Sequence, residues 1–179
     1  SVRLYTMEDA LATYESFRPQ TESVLDVAWS PDGSQLAVSS IEGMIRQIDM
    51  SNRQLIHEWD HNDYIRAVAW SPDGSMLAGG GDDNIIFIYD PVTGEKLHEF
   101  DGHSDWIRGL AWSPDGQLIA AASDDGTCTV WSIKADELVK VHRDHTDYCR
   151  DVAFAPSGEK LVSVSDDYSG YVYSPADQN

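Results

Sequence analysis

Apolar and polar positions alternate along this chain in short bursts, and turn residues cut the bursts at regular intervals. The stretch from Gly102-His103 to His142 is the plainest. Trp106–Ser113 opens it, and within it Ile107-Arg108-Gly109-Leu110-Ala111-Trp112 is nearly continuous apolar. A Pro-Asp-Gly turn follows at Pro114–Gly116, then the small-residue run Leu118–Ser123. Asp124-Asp125-Gly126 marks a tight hairpin before Cys128–Ile133, and Glu137–His142 closes the unit. No segment sustains a 3.6-residue apolar period with helix caps. The elements predicted are four short strands in an antiparallel meander.

That unit recurs. Val27–Gly33, Val68–Gly74, Leu110–Gly116 and Val152–Gly158 are near copies, and their anchor aromatics Trp29, Trp70, Trp112 and Phe154 are spaced by 41, 42 and 42 residues. A fixed period of this length means an array of one supersecondary unit. The strands within a unit differ in order. The first is apolar on both faces, and the second is small enough to let sheets approach closely, as in Leu77-Ala78-Gly79-Gly80-Gly81. The fourth alternates, as in Glu95–Phe100, and reads as a half-exposed outer edge. A gradient of burial from inner to outer strand requires sheets arranged radially. Each must bury two faces against its neighbours, so one unit alone is not stable.

The Gly-His pair, the Ser-Pro-Asp-Gly turn, the Ser-x-Asp before strand three and the Trp ending that strand resemble the WD40 repeat, a blade of a β-propeller. The resemblance covers essentially the whole chain. It implies an all-β fold of four four-stranded antiparallel blades, and within each blade a hydrogen-bonded tetrad of His, Ser or Thr, Asp and Trp. Carried over, the tetrad is His103, Ser123, Asp125 and Trp131 in the third unit and His145, Ser165, Asp167 and Tyr173 in the fourth. The second unit has His61, Gly81, Asp83 and Tyr89, and so lacks the hydroxyl. The first has Gln20, Ser40, Glu42 and Ile48. Ser, His and Asp together look like a hydrolase triad, but here they recur in register with a structural repeat and no Gly-x-Ser-x-Gly elbow accompanies them. The reading is structural. The Asp pairs Asp82-Asp83, Asp124-Asp125 and Asp166-Asp167 lack the ligand order of a calcium loop and fit hairpin chemistry.

Alignment with Ile86–Phe100 makes Val2–Met7 and Ala12–Phe17 the third and fourth strands of a preceding blade. The last unit supplies three strands, ending with Tyr171–Ser174. Seventeen strands result, one more than four closed blades use. The expected division is one domain over 1–179, with 1–19 belonging to a preceding or shared blade and successive repeats at 20–60, 61–102, 103–144 and 145–179. Rings of this family tend to the larger end of four to eight blades. The chain is therefore expected to be a partial ring, either a segment of a longer protein or a partial propeller that pairs two chains into a homodimer.

Composition narrows the partners. A net charge of −19 from 31 acidic and 12 basic residues disfavours nucleic acid and anionic membranes. Cys128 and Cys149 sit in apolar strands without metal spacing and are expected as buried free thiols. That suits a reducing, intracellular and cytoplasmic setting. No apolar run reaches membrane-spanning length. No cofactor motif, P-loop or zinc-protease motif occurs.

Partner chemistry is expected between each His and its anchor aromatic. Three units read Asp63-Tyr64-Ile65-Arg66, Asp105-Trp106-Ile107-Arg108 and Asp147-Tyr148-Cys149-Arg150. By resemblance, Tyr64, Arg66, Trp106, Arg108, Tyr148 and Arg150 project onto the top rim of the channel. Aromatics and Arg are the residue types enriched at binding hot spots. The expected function is a non-catalytic protein-interaction scaffold that docks proteins or peptides there, acidic or phosphorylated segments among them. Two alternatives stand beside it. Each Arg can instead pair with Asp82, Asp124 or Asp166 in a self-neutralised girdle, and a ligand-binding or hydrolytic site can occupy the central channel.

Overall fold

The computed structural model describes residues 1–6, 13–17 and 22–175. Among them lie seventeen strands and no α-helix, in five antiparallel sheets. A hairpin comes first, β1 (Val2–Thr6) with β2 (Thr13–Phe17). Blade 1 is β3 (Val24–Trp29), β4 (Gln35–Ser40), β5 (Met44–Asp49) and β6 (Gln54–Asp60). Blade 2 is β7 (Ile65–Trp70), β8 (Leu77–Gly81), β9 (Ile85–Tyr89) and β10 (Lys96–Asp101). Blade 3 is β11 (Ile107–Trp112), β12 (Leu118–Ser123), β13 (Cys128–Ser132) and β14 (Glu137–His142). Blade 4 is β15 (Cys149–Phe154), β16 (Leu161–Ser165) and β17 (Gly170–Tyr173). Strands follow one another in chain order within every sheet, as a meander requires. Met7, Ala12 and Gln20 of the sequence reading lie outside the described residues.

The core lies between blades rather than inside one. Ala37 and Ile45 of blade 1 pack on Ile65, Trp70 and Leu77 of blade 2. Ala78, Ile86 and Ile88 of blade 2 pack on Ile107, Trp112 and Ile119 of blade 3. Ala120, Ala122 and Val130 of blade 3 pack on Cys149, Val152 and Leu161 of blade 4. The small second strands explain the closeness. A Cβ added to Gly80 would stand 3.0 Å from Ile107 of the next blade. Outer strands remain half exposed, with only one fully buried position in each of β6, β10 and β14. Both cysteines are buried free thiols.

Two further devices tie neighbours together. The indole Nε1–H of Trp70 donates to the Ala28 carbonyl at 3.1 Å, and that of Trp112 to the Ala69 carbonyl at 3.0 Å, each reaching back one blade. On the outer side Trp59 stacks on Tyr89, Phe100 on Trp131 and His142 on Tyr173, with centroids 4.7, 5.0 and 3.7 Å apart.

A girdle of arginines and aromatics on the blade rims

The innermost strand pair of every blade slips register by one residue near its start. The breaks fall between Val24 and Asp26, Ile65 and Ala67, Ile107 and Gly109, and Cys149 and Asp151. A bulge of this kind re-aims the extra residue. In blades 2, 3 and 4 that residue is Arg66, Arg108 and Arg150, and in blade 1 it is Leu25. The flanking Ile65, Ile107 and Cys149 are fully buried and anchor the bulge from inside.

The residues before the bulge are fixed as well. The backbone N–H of Tyr64, Trp106 and Tyr148 each donates to the carboxylate of the preceding Asp63, Asp105 or Asp147 at 2.8 Å. Their carbonyls accept from the N–H of Asp82, Asp124 and Asp166 at 2.9, 2.9 and 3.0 Å. The three rings are left 42%, 40% and 45% exposed on one rim.

Each guanidinium meets both a carboxylate and a ring. Arg66 forks onto Asp82, with Nη2 to Oδ2 at 2.7 Å and a second bond from Nε to Oδ1. Arg108 forks onto Asp124 in the same way, with Nε to Oδ1 at 2.9 Å. Arg150 bonds Asp166 and also reaches Asp124 at 3.2 Å, so the buried Asp124 carboxylate joins blades 3 and 4. The Arg66 guanidinium lies 4.6 Å from the Trp106 ring centroid and 5.6 Å from that of Tyr64. Arg108 lies 5.0 Å from Trp106, and Arg150 5.0 Å from Tyr148. Bidentate pairing and ring stacking suit the flat guanidinium and would not suit lysine. The hydrogen bond from Arg150 holds the Asp166 carboxyl below the usual carboxylate range. The six residues singled out from the sequence thus lie together on one rim, with the arginines already engaged by the three Asp residues named as the alternative.

The tetrad is a separate network and needs a correction. In blade 3, His103 Nδ1–H donates to Asp125 Oδ2 at 2.9 Å, and His103 Nε2 lies 2.8 Å from Thr129 Oγ1. Trp131 Nε1–H donates to that same hydroxyl at 3.0 Å. The hydroxyl member is Thr129, not Ser123. Ser123 Oγ points the other way, donating to the Asp105 carbonyl at 2.8 Å and accepting from the Asp125 N–H. In blade 4 the hydroxyl is Ser163, 2.7 Å from His145 Nε2 and 3.2 Å from the Tyr173 hydroxyl, while Ser165 repeats the turn role of Ser123. His145 Nδ1 meets Asp167 at 3.0 Å. Thr129 faces Ala121 and Ser163 faces Tyr171 across the same strand pair, so the hydroxyl arrives from opposite strands in the two blades.

Blade 2 has Gly79 opposite Phe87 at this place and no hydroxyl, and Tyr89 bonds His61 Nε2 directly at 3.0 Å. His61 Nδ1 is 3.8 Å from Asp83, beyond hydrogen-bond reach. Gly81 lies outside the network, because a Cβ there would fall 1.8 Å from the Tyr64 carbonyl oxygen. Blade 1 has Val38 opposite Arg46, and Arg46 pairs with Glu42 at 3.0 Å and with Glu58. Ile48 is an apolar core residue there.

Sequence reasoning missed Thr129 and Ser163, and it missed Tyr168. Tyr168 is fully exposed on the rim turn of blade 4 at φ 66°, where other blades have Gly43, Asn84 and Gly126. A bulky residue in the left-handed region is uncommon. The Thr-x-Trp spacing, which puts both side chains on one strand face, was the available signal for Thr129.

Comparison with protein families bears on the repeats. Residues 53–90, 94–132 and 136–174 each match the family model of the WD domain, G-beta repeat. The chain belongs to this WD40 family, as a partial β-propeller. Residues 14–64 match the Anaphase-promoting complex subunit 4 WD40 domain. No curated protein matches the chain. The three family repeats are framed differently from the blades. Each begins at an outer strand and runs through three strands of the next blade, as β6–β9, β10–β13 and β14–β17. In that frame β2–β5 makes a fourth set and β1 is the surplus strand. Domains of this family generally serve as protein-interaction scaffolds and are typically non-catalytic. Among the described residues no helix is long and apolar enough to cross a membrane.

Proposed function

We propose that this domain is a non-catalytic interaction platform that receives a partner protein on the rim formed by Tyr64, Trp106, Tyr148 and their arginines. The observation that carries the reading is the pre-organisation of that rim. Three large rings stay two-fifths exposed while bulges, carboxylates and backbone bonds hold them in place, so docking loses little side-chain entropy. The likeness of residues 14–64 to a domain from a subunit of a complex supports a role in assembly.

The partner segment is extended and carries an acidic or phosphorylated side chain at one end. Arg150 is the point of entry for that group. It is 37% exposed, against 19% for Arg66 and 22% for Arg108, and its partner Asp166 is itself exposed. Nucleic acid and anionic membranes are poor partners for a chain of net charge −19. The setting we infer is intracellular and cytoplasmic.

The test compares proteins captured by the wild type and by the Trp106→Ala/Tyr148→Ala double variant. Both rings are surface residues, so the circular dichroism of the variant should match. Loss of the captured set is the expected result, and an identical set for a folded double variant would refute the rim as the docking surface.

A further inference from the structure

The internal joints between blades define what a matching face looks like, and the two outermost faces of the array match each other. Trp29 holds the position of Trp70 and Trp112, yet it is 49% exposed where they are 9% and 8%. Its indole N–H has no acceptor among the described residues. The acceptors used by Trp70 and Trp112 are the carbonyls of Ala28 and Ala69, one residue before the anchor aromatic of the previous blade. In blade 4 that residue is Ala153. Val27, on the same face as Trp29, is exposed too.

The turns repeat the logic. A Cβ on Gly74, Gly116 or Gly158 would stand 3.5, 3.7 or 3.6 Å from Pro31, Pro72 or Pro114 of the preceding blade. Gly33 has nothing within 4 Å of that position, and Pro156, the proline of the blade 4 turn, has no following glycine to meet. On the far face of blade 4, Val162 and Val164 take the places of Ala120 and Ala122, and Val172 that of Val130. Those three counterparts are fully buried by the next blade, whereas Val172 is 69% exposed and Val162 and Val164 are also open.

We propose that two copies of this chain join head to tail, blade 4 of one seating against blade 1 of the other, so that Trp29 donates to Ala153 and Gly33 stacks on Pro156 of the second copy. The joint continues the interface already formed three times inside the chain. The outer strand β2 then pairs with the free edge of the other copy's β17, as β6, β10 and β14 pair with β5, β9 and β13. β17 keeps its place because Tyr173 is buried and stacked on His142. β1, the surplus strand in the family frame, gives way to it, Gly170 taking the register place of Val2 beside Leu36, Val38 and Ile48 and Val172 lying two residues further along the same face. Two such joints close eight four-stranded blades, within the range of known rings.

The experiment measures mass in solution by light scattering on the full chain and three exposed-site variants. Wild type is expected at twice 19.9 kDa. Trp29→Arg and Val172→Arg each place a charge in the joint and should run as single chains with unchanged circular dichroism. Val92→Arg, on an exposed loop away from both faces, should remain paired. Mixing Trp29→Arg with Val172→Arg leaves one intact joint, so pairs should reappear. A wild type that stays a single chain at its highest attainable concentration would overturn the proposal. Pairs that survive both charge substitutions, or a mixture that fails to pair, would overturn the head-to-tail geometry.

Discussion

Blades 3 and 2 share a backbone, yet their interiors are wired differently. In blade 3 a continuous chain of hydrogen bonds runs from the Trp131 indole through Thr129 and His103 to Asp125. Asp125 also accepts from the Ser104 N–H at 3.0 Å, the Thr127 N–H at 2.9 Å and the Thr127 hydroxyl at 2.6 Å. Against the cost of burial, these bonds hold its carboxyl far below the usual carboxylate range. In blade 2 the chain stops at His61. Asp83 keeps one bond, from the Ile85 N–H at 3.3 Å, and its Oδ2 is buried without a partner. Burial pushes that carboxyl up to about 6 and the His61 imidazole down to about 4. The same residue types at the same spacing are a cross-link in one blade and a desolvation cost in the other. Blade 2 makes up the difference with apolar contact, Phe87 lying 4.4 Å from His61 and Trp59 stacking on Tyr89.

The sharpest way to break the comparison is to remove each acid. Asp125→Ala strips His103, Ser104 and Thr127 of a charged acceptor and should lower stability by about 3 kcal/mol. Asp83→Ala removes a carboxylate that is ionised against its burial at neutral pH and makes little bonding, so it should leave stability nearly unchanged or raise it. Urea unfolding at neutral pH measures both. Equal losses would mean that the 3.8 Å gap in blade 2 does not matter energetically.

Thr129→Val tests the hydroxyl with little change in shape. It leaves His103 Nε2 and the Trp131 indole N–H buried without a partner, for a loss of about 2 kcal/mol. Ser163→Ala should act likewise in blade 4. A neutral result at Thr129 would mean that the bonds from its hydroxyl to His103 and Trp131 add nothing to stability.

Local and long-range features differ in how much of them the sequence carries. The period, the four-strand unit and the burial gradient were legible because they depend on apolar spacing and turn residues, both local. The threefold recurrence of Asp-aromatic-x-Arg was legible too, and its arginines and rings lie in contact with one another. The hydroxyl was not legible because it is set by cross-strand register. Ser123 precedes the Asp pair in sequence, but the bulge and turn aim it at the Asp105 carbonyl. Thr129 meets His103 across 26 residues. The bulge that makes Arg66, Arg108 and Arg150 the odd residues of their strands was equally invisible, because it is a property of a strand pair.

Ser123 itself should matter less than Thr129. Its hydroxyl clips the β12–β13 turn to the segment before β11, and backbone bonds from Asp124 to Trp106 already do part of that work. Ser123→Ala should cost about 1 kcal/mol, with a melting temperature a few degrees lower. A loss larger than that of Thr129→Val would reverse the ranking of the two hydroxyls.

The smallest effect is a slope, and it isolates blade 2. Asp83 is raised from 3.8 to about 6, so between those values the folded state holds the proton more firmly and stability falls as pH rises. His61 is lowered from 6.5 to about 4, so over nearly the same window the unfolded state holds more protons and stability rises with pH. The two slopes oppose and largely cancel. Asp125 and Asp167 have lowered values, so their contributions are complete above the ordinary Asp value of 3.8 and are lost only as pH falls below it. Asp83→Asn removes the falling slope and leaves that of His61, so the variant should gain stability from pH 4 to pH 6 at no more than about 1 kcal/mol per pH unit. His61→Phe should give the opposite tilt. Urea midpoints across that window decide it, and parallel curves for the wild type and both variants would show that the His61–Asp83 pair does not titrate as its burial requires.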